Sequence, residues 1–306
     1  MNAVRVGTGG TLEGATLAAH DEPHRAVVLR RLWRLKWSMF AALMMLLIVA
    51  SAVFAPVVAP HGPLDVNIRH RLAPPAWMEG GTPAHLLGTD QIGRDLLSRV
   101  IYGGRVSLLV GVAAVLISAS LGVLLGLGAG YFRGRVDWTI MTLVNIMLTF
   151  PFVLLALAVI AVLGPSLLNM IFVLGIADWP LYARVIRAET LSLREREFVM
   201  AGRALGMSHP RIMFRQILPN LVSIIVVIAT LQVARVIILE SFLSFLGLGI
   251  QPPTPAWGNM LGEGRVYLLN SWWIAAFPGL AIFVTTLAIN LMGNGLRDWL
   301  DPHMKL

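Results

Sequence analysis

The stretch Val106–Tyr131, VSLLVGVAAVLISASLGVLLGLGAGY, contains no Asp, Glu, Lys or Arg. At about 1.5 Å of rise per residue, a helix of this length exceeds the ~30 Å hydrocarbon core of a bilayer. It has no charged face to turn toward water, as a surface helix of a soluble protein must. The run therefore reads as a transmembrane helix.

Five further segments read as spans: 38–59, 138–163, 168–186, 220–246 and 272–293. Asp178 and Pro180 interrupt the fourth span, and Gln232, Arg235 and Glu240 interrupt the fifth. Pro151 and Pro278 are expected to kink their helices. Composition agrees with a membrane protein. Of 306 residues, 57% are hydrophobic and only 13% charged, against about a quarter charged in soluble domains. Mean hydropathy is +0.76. A net charge of +8 suggests nucleic acid in a soluble protein, but here basic loops serve to orient the helices. The absence of cysteine excludes disulfides and thiolate metal sites. Residues 1–24 are polar and show no signal-peptide pattern, so the first helix is expected to stay in the mature chain.

Basic residues set the orientation. Arg69, Arg71, Arg94, Arg99, Arg105 and Arg265 fall on one side and Arg235 inside a span, leaving seventeen of the 24 Lys and Arg residues on the side of both termini. The positive-inside bias places both termini in the cytoplasm. The expected layout is a cytoplasmic segment 1–37, a first transmembrane helix 38–59 and an outer loop 60–105. A core 106–296 follows, with an inner hairpin 192–219 and an outer Pro-rich loop 247–271 that re-enters the protein. A cytoplasmic tail 297–306 closes the chain. Within the first outer loop, Gln91–Tyr102 reads as a short surface helix, with Arg94, Asp95 and Arg99 facing away from its apolar side.

The inner hairpin carries the most information. Ser192 and Glu195 form a capping-box pattern for a first helix ending at Leu205. Gly206 suits the left-handed conformation of a helix end. Ser208 and Pro210 suit the start of a second helix running to Pro219. Small residues at Ala201, Gly202 and Ala204 allow close approach of another surface. The residues leave two readings open, a solvated connecting loop and a docking hairpin.

The run Glu197-Phe-Val-Met-Ala-Gly-Arg-Ala-Leu-Gly206 with Arg211-Ile-Met-Phe-Arg-Gln-Ile-Leu-Pro-Asn220 resembles the EAA loop of binding-protein-dependent ABC importer permeases. Leu87–Arg99, Tyr102–Leu108, Leu243–Asn259 and Gly295–Pro302 resemble segments of the dipeptide/oligopeptide/nickel subfamily, its C-type subunit best. The likeness covers roughly residues 30–303. The chain departs from the family pattern at Met200, where a Glu is frequent, and at Gly202, where an Ala is.

The resemblance implies an all-α integral membrane protein with six transmembrane helices, a MetI-like ABC importer permease fold and a cytoplasmic EAA coupling helix. It implies ATPase coupling through Glu197, Ala201, Gly202, Leu205, Gly206, Arg211 and Arg215. It also implies a second permease subunit in a heterodimer, two cytoplasmic ATPase subunits, an outer solute-binding protein and residence in a bacterial inner membrane. Peptides are the implied substrate, with nickel complexes, opines, glutathione and sugars left open. No Gly-x-x-x-x-Gly-Lys-Ser/Thr phosphate loop is present. ATP and Mg are thus expected in partner subunits, with no cofactor bound by this chain and no nucleic acid among its partners.

Charged groups inside a bilayer pair or line water. Asp178 and Arg235 fall at similar depth, and they are expected to pair or to line a path together with Gln232 and Glu240. Glu240 has a second reading, snorkelling to the surface. Asn145 and Gln232 read as interhelical hydrogen-bonding residues. Trp37, Trp138, Trp272 and Trp273 read as an interfacial belt. His85 and the other histidines show no metal-ligand spacing, so no metal site is expected. A secondary transporter or channel working without ATP is the competing class, and a membrane enzyme the third. The first is expected to carry inverted repeats and an ion relay, the second a catalytic cluster.

Overall fold

A computed structural model describes residues 24–300. Most of the expected segment 1–37, including the bases at Arg5, Arg25, Arg30, Arg31 and Arg34, falls outside what it describes in side-chain detail, as does the tail beyond residue 300. The helices in chain order are α1 (His24–Val53), α2 (Ala55–Val58), α3 (Leu96–Phe132), α4 (Gly134–Thr149), α5 (Phe152–Leu163) and α6 (Leu167–Ala177). They continue as α7 (Trp179–Arg194), α8 (Glu197–Ala204), α9 (His209–Ile212), α10 (Leu218–Phe245), α11 (Trp257–Gly264) and α12 (Trp273–Leu300).

Five stretches are long and apolar enough to cross a bilayer: Lys36–Val53, Leu96–Phe132, Leu167–Arg194, His209–Phe245 and Trp273–Leu300. The sixth is the pair α4 and α5, bent by 87° at Phe150–Pro151. Pro151 does more than kink this span. It caps α5 with an extended backbone and separates two helices, because its ring clashes with the preceding turn and it lacks an N–H to donate. Pro278, by contrast, lies within an uninterrupted α12.

The central element is α3, which packs against α7, α10, α6, α4 and α1. Its closest approach is to α7, along Gly122, Gly126 and Gly130. These residues are one helical turn apart and share one face. A Cβ at Gly126 would lie 2.5 Å from the Ala183 carbonyl oxygen, and one at Gly122 2.5 Å from that of Trp179. Helices in lipid gain association energy from such close backbone contact, since water supplies no hydrophobic drive between them. Around this seam Ala114, Leu174, Tyr182 and Val236 form one buried cluster.

Two expectations for the first loop are corrected. Residues 96–105 are not a separate surface helix but the first turns of α3, capped by Asp95, whose carboxylate accepts from the Ser98 N–H at 2.8 Å. Arg94, Asp95 and Arg99 do not face solvent: their exposures are 5%, 2% and 1%. The polar side of this segment meets other polar groups. Asp90 accepts from both Arg94 and Arg99, and Glu263 of α11 accepts from Arg99 at 3.0 Å and Arg94 at 3.3 Å. Charged groups this enclosed persist only when paired and hydrogen-bonded. The network fastens α11 to the start of α3, and Trp257 completes the joint by donating its Nε1–H to the Val100 carbonyl at 2.8 Å, with its ring over Gly103 and Gly104. The Pro-rich loop therefore does carry a buried element into the bundle.

Trp37, Trp138 and Trp272 are exposed, as an interfacial belt requires. Trp273 is buried and donates to the Thr89 carbonyl at 3.2 Å, so it anchors the loop instead. Asn145 bridges α4 and α7, accepting from Arg184 at 3.2 Å.

Candidate functional site

The hairpin expected at 192–219 is present, with different bounds. Ser192 and Glu195 do not form a capping box: α7 runs through Ser192 to Arg194, Glu195 closes its C-terminal end, and Arg196 occupies the N-terminal flank of α8 without a side-chain cap. The turn at Gly206 is as expected. Its φ is +74°, Gly206 N–H donates to Arg203 O at 3.0 Å, and Met207 N–H donates to Gly202 O at 3.0 Å. This is the paired arrangement that closes a helix through a left-handed residue.

The second arm does not stop at Pro219. From His209 the chain passes through one π-helical turn, Met213–Ile217, directly into α10. The Leu218 N–H reaches back to Met213 O, and this wider turn leaves room for Pro219, which has no N–H to contribute. The arm and the fifth span are thus one rod, His209–Phe245.

The hairpin is rigidly rooted. Val199, Ile212, Met213 and Ile217 are buried together with Leu127, Tyr131 and Ile186 of α3 and α7. Gly202 is also buried, lying against Gln216, so its small size serves the closeness of the two arms. Glu197, Ala201, Leu205, Gly206, Arg211 and Arg215 are all exposed. Leu205 is 83% exposed, and the hairpin also exposes Met200 at 49% and Phe214 at 46%.

In the spans, Arg235 and Asp178 form the expected pair, Nη1 to Oδ1 at 3.3 Å, and Gln232 donates to the other carboxylate oxygen at 3.4 Å. Asp178 is buried at the junction of α6 and α7, while the Arg235 side chain is 49% exposed. Glu240 stands apart from this trio and does not snorkel. It is fully buried, accepting from Ser244 at 2.7 Å, Ser107 at 3.2 Å and Ser241 at 3.4 Å, which stitches α10 to α3.

The fold defines a polytopic helical membrane protein with an exposed helical hairpin. Residues 122–306 match the family described as binding-protein-dependent transport system inner membrane component. Residues 25–75 match the N-terminal transmembrane domain of oligopeptide transport permease C. A Pseudomonas aeruginosa di/tripeptide transport system permease protein is 48% identical over 88% of this chain and 89% of its own length. An Escherichia coli dipeptide transport system permease protein is 46% identical over 89% and 91%. Among solved structures, a chain of the MetNI methionine ABC transporter superposes with a TM-score of 0.55 at 17% identity, covering 67% of this chain and 98% of that one, which bears on the fold. The chain belongs to the binding-protein-dependent transport inner membrane component family. It is a multi-pass permease subunit of an ABC importer, not an ATPase and not an ATP-independent carrier.

Proposed function

We propose that this chain forms half of a peptide translocation path, in a heterodimer with a second permease, and that two ATPase subunits drive it through the hairpin. The permease relatives named for dipeptide and di/tripeptide transport support the substrate. In this arrangement a separate outer binding protein delivers peptide, ATP and Mg bind in the partner subunits, and both termini lie in the cytoplasm of a bacterium.

The hairpin carries the reading. An exposed leucine at the tip of a firmly packed elbow needs an apolar cover, and Glu197, Arg211 and Arg215 supply the charged rim of an interface. An ATPase dimer that closes on ATP can drive transport only if it contacts the hairpin differently in its two states. The rod His209–Phe245 links that contact to Arg235, which with Asp178 and Gln232 we place beside the peptide's route. The half-exposed guanidinium fits a peptide carboxylate. Glu240 holds the wall of that route without facing it.

The chain has no cysteine, so Leu205→Cys introduces a single reactive group. In the assembled transporter it should cross-link to an ATPase subunit, with a yield that changes on adding ATP. Labelling of the Leu205→Cys thiol by an impermeant maleimide from outside intact cells would refute the orientation and the docking together.

A further inference from the structure

His61, His85 and Asp95, separated by 24 and 10 positions in sequence, meet in the loop between α2 and α3, and one ligand atom from each lies within 4.8 Å of the others. His85 Nδ1 is 3.0 Å from Asp95 Oδ1, and His61 Nδ1 is 3.8 Å from the same oxygen. The two imidazole rings are 4.9 Å apart and tilted by 34°. His85 and Asp95 are buried at 7% and 2%.

The carboxylate is divided between two tasks. Oδ2 accepts the Ser98 N–H at 2.8 Å and the Ser98 hydroxyl at 2.7 Å, which holds the start of α3. Oδ1 is left to the imidazoles. The Ser98 hydroxyl oxygen accepts the backbone N–H of His61 at 3.1 Å, so the same capping unit that orients the carboxylate also places His61. His61 Nδ1 is enclosed and has no hydrogen-bond partner, although it points at an oxygen beyond hydrogen-bonding range. A buried nitrogen left without a partner is costly, and here it faces the two other ligand atoms.

We propose that this cluster is a Zn²⁺-class metal site built from His61, His85 and Asp95, with water in the fourth position. Tetrahedral coordination with bonds of about 2.0–2.1 Å sets ligand atoms roughly 3.3 Å apart, and the separations of 3.0 and 3.8 Å bracket that value. Two imidazoles and one carboxylate suit zinc and its neighbours, while Mg²⁺ and Ca²⁺ demand oxygen ligands. The His61 side chain is 36% exposed, which leaves an entry path. Metal binding here fastens three points of the loop that are far apart in sequence: the end of α2, the middle of the loop and the cap of α3.

The test uses the full chain in detergent, with an affinity tag free of histidine, stripped with chelator and titrated with Co²⁺ and then Zn²⁺. One Co²⁺ per chain, with the intense visible absorption of four-coordinate cobalt displaced by Zn²⁺, is expected. His61→Ala should weaken binding about tenfold or more, while the metal-free variant still extracts as monodisperse protein. His209→Asn, whose ring is engaged by the Tyr131 hydroxyl at 2.9 Å elsewhere, should bind metal normally. A wild-type chain without the cobalt absorption, or a His61→Ala variant that binds as tightly as wild type, would overturn the site.

Discussion

Arg235 Nη1 sits 3.3 Å from Asp178 Oδ1, joining the middle of α10 to the break between α6 and α7, yet the two side chains are unequally enclosed. Asp178 is buried while Arg235 is half open. Removing either partner should therefore have unequal consequences. Arg235→Gln strands a buried carboxylate with only Gln232 at 3.4 Å. Asp178→Asn leaves a guanidinium that water can reach. We expect Arg235→Gln to lower the melting temperature of the assembled transporter more than Asp178→Asn does. The double variant should recover part of the loss, with a coupling of about 0.6–1.7 kcal/mol. A double variant no more stable than Arg235→Gln alone would show the pairing to be unimportant.

Gly206 separates backbone strain from crowding. Its φ is +74°, and a Cβ there would meet nothing within 4 Å. Substitutions at this turn should therefore rank by their tolerance of left-handed backbone: Asn mildest, Ala intermediate, Val worst by about 1–3 kcal/mol locally. ATP-driven peptide uptake in membrane vesicles should fall in that order while the chain still inserts. Wild-type uptake by Gly206→Val would show that the turn does not transmit coupling.

Gly126 and Gly128 are two residues apart on α3 but face different surroundings. A Cβ at Gly126 collides with backbone of Ala183, whereas one at Gly128 enters open space. Backbone on both sides cannot move aside as a side chain could. Gly126→Val should cost roughly 1–3 kcal/mol of stability, read as loss of monodisperse protein on extraction. Gly128→Ala should extract as wild type.

Glu240 offers a third contrast. Glu240→Gln can keep the hydrogen bonds to Ser107 and Ser244. Glu240→Ala removes the common acceptor and opens a hole, at about 2–4 kcal/mol. Thermal unfolding in detergent should distinguish them clearly, with the Gln variant close to wild type.

Several features are legible from the residues alone, because each follows from a local run, a local turn or a depth counted along a span. Span length follows from uninterrupted apolar runs, the hairpin turn from Gly206, and the Asp178–Arg235 pair from matching depth. The departures share a cause. A polar helix face in a soluble protein meets solvent, and that rule points Arg94, Asp95 and Arg99 toward water, but these residues meet Asp90, Glu263 and Ser98. The same rule allows Glu240 the surface, although three serines hold it inside. The glycine row 122, 126 and 130 has a readable spacing that apolar-run analysis passes over, since it marks which face packs and not whether a helix forms. The meeting of His61, His85 and Asp95 has no local signal at all. Loop geometry creates it.

The π-helical turn at Met213–Ile217 sets the phase of everything that follows it. Each residue advances a regular helix by about 100°. Were the same five residues to tighten into ordinary α-helix with none removed, the remainder of α10 would swing through about that angle. Arg235 would leave Asp178, and Glu240 would be carried out of its serine cage, with no residue of either site altered. One extra residue at the foot of the rod thus fixes the compass bearing of polar groups two dozen positions away.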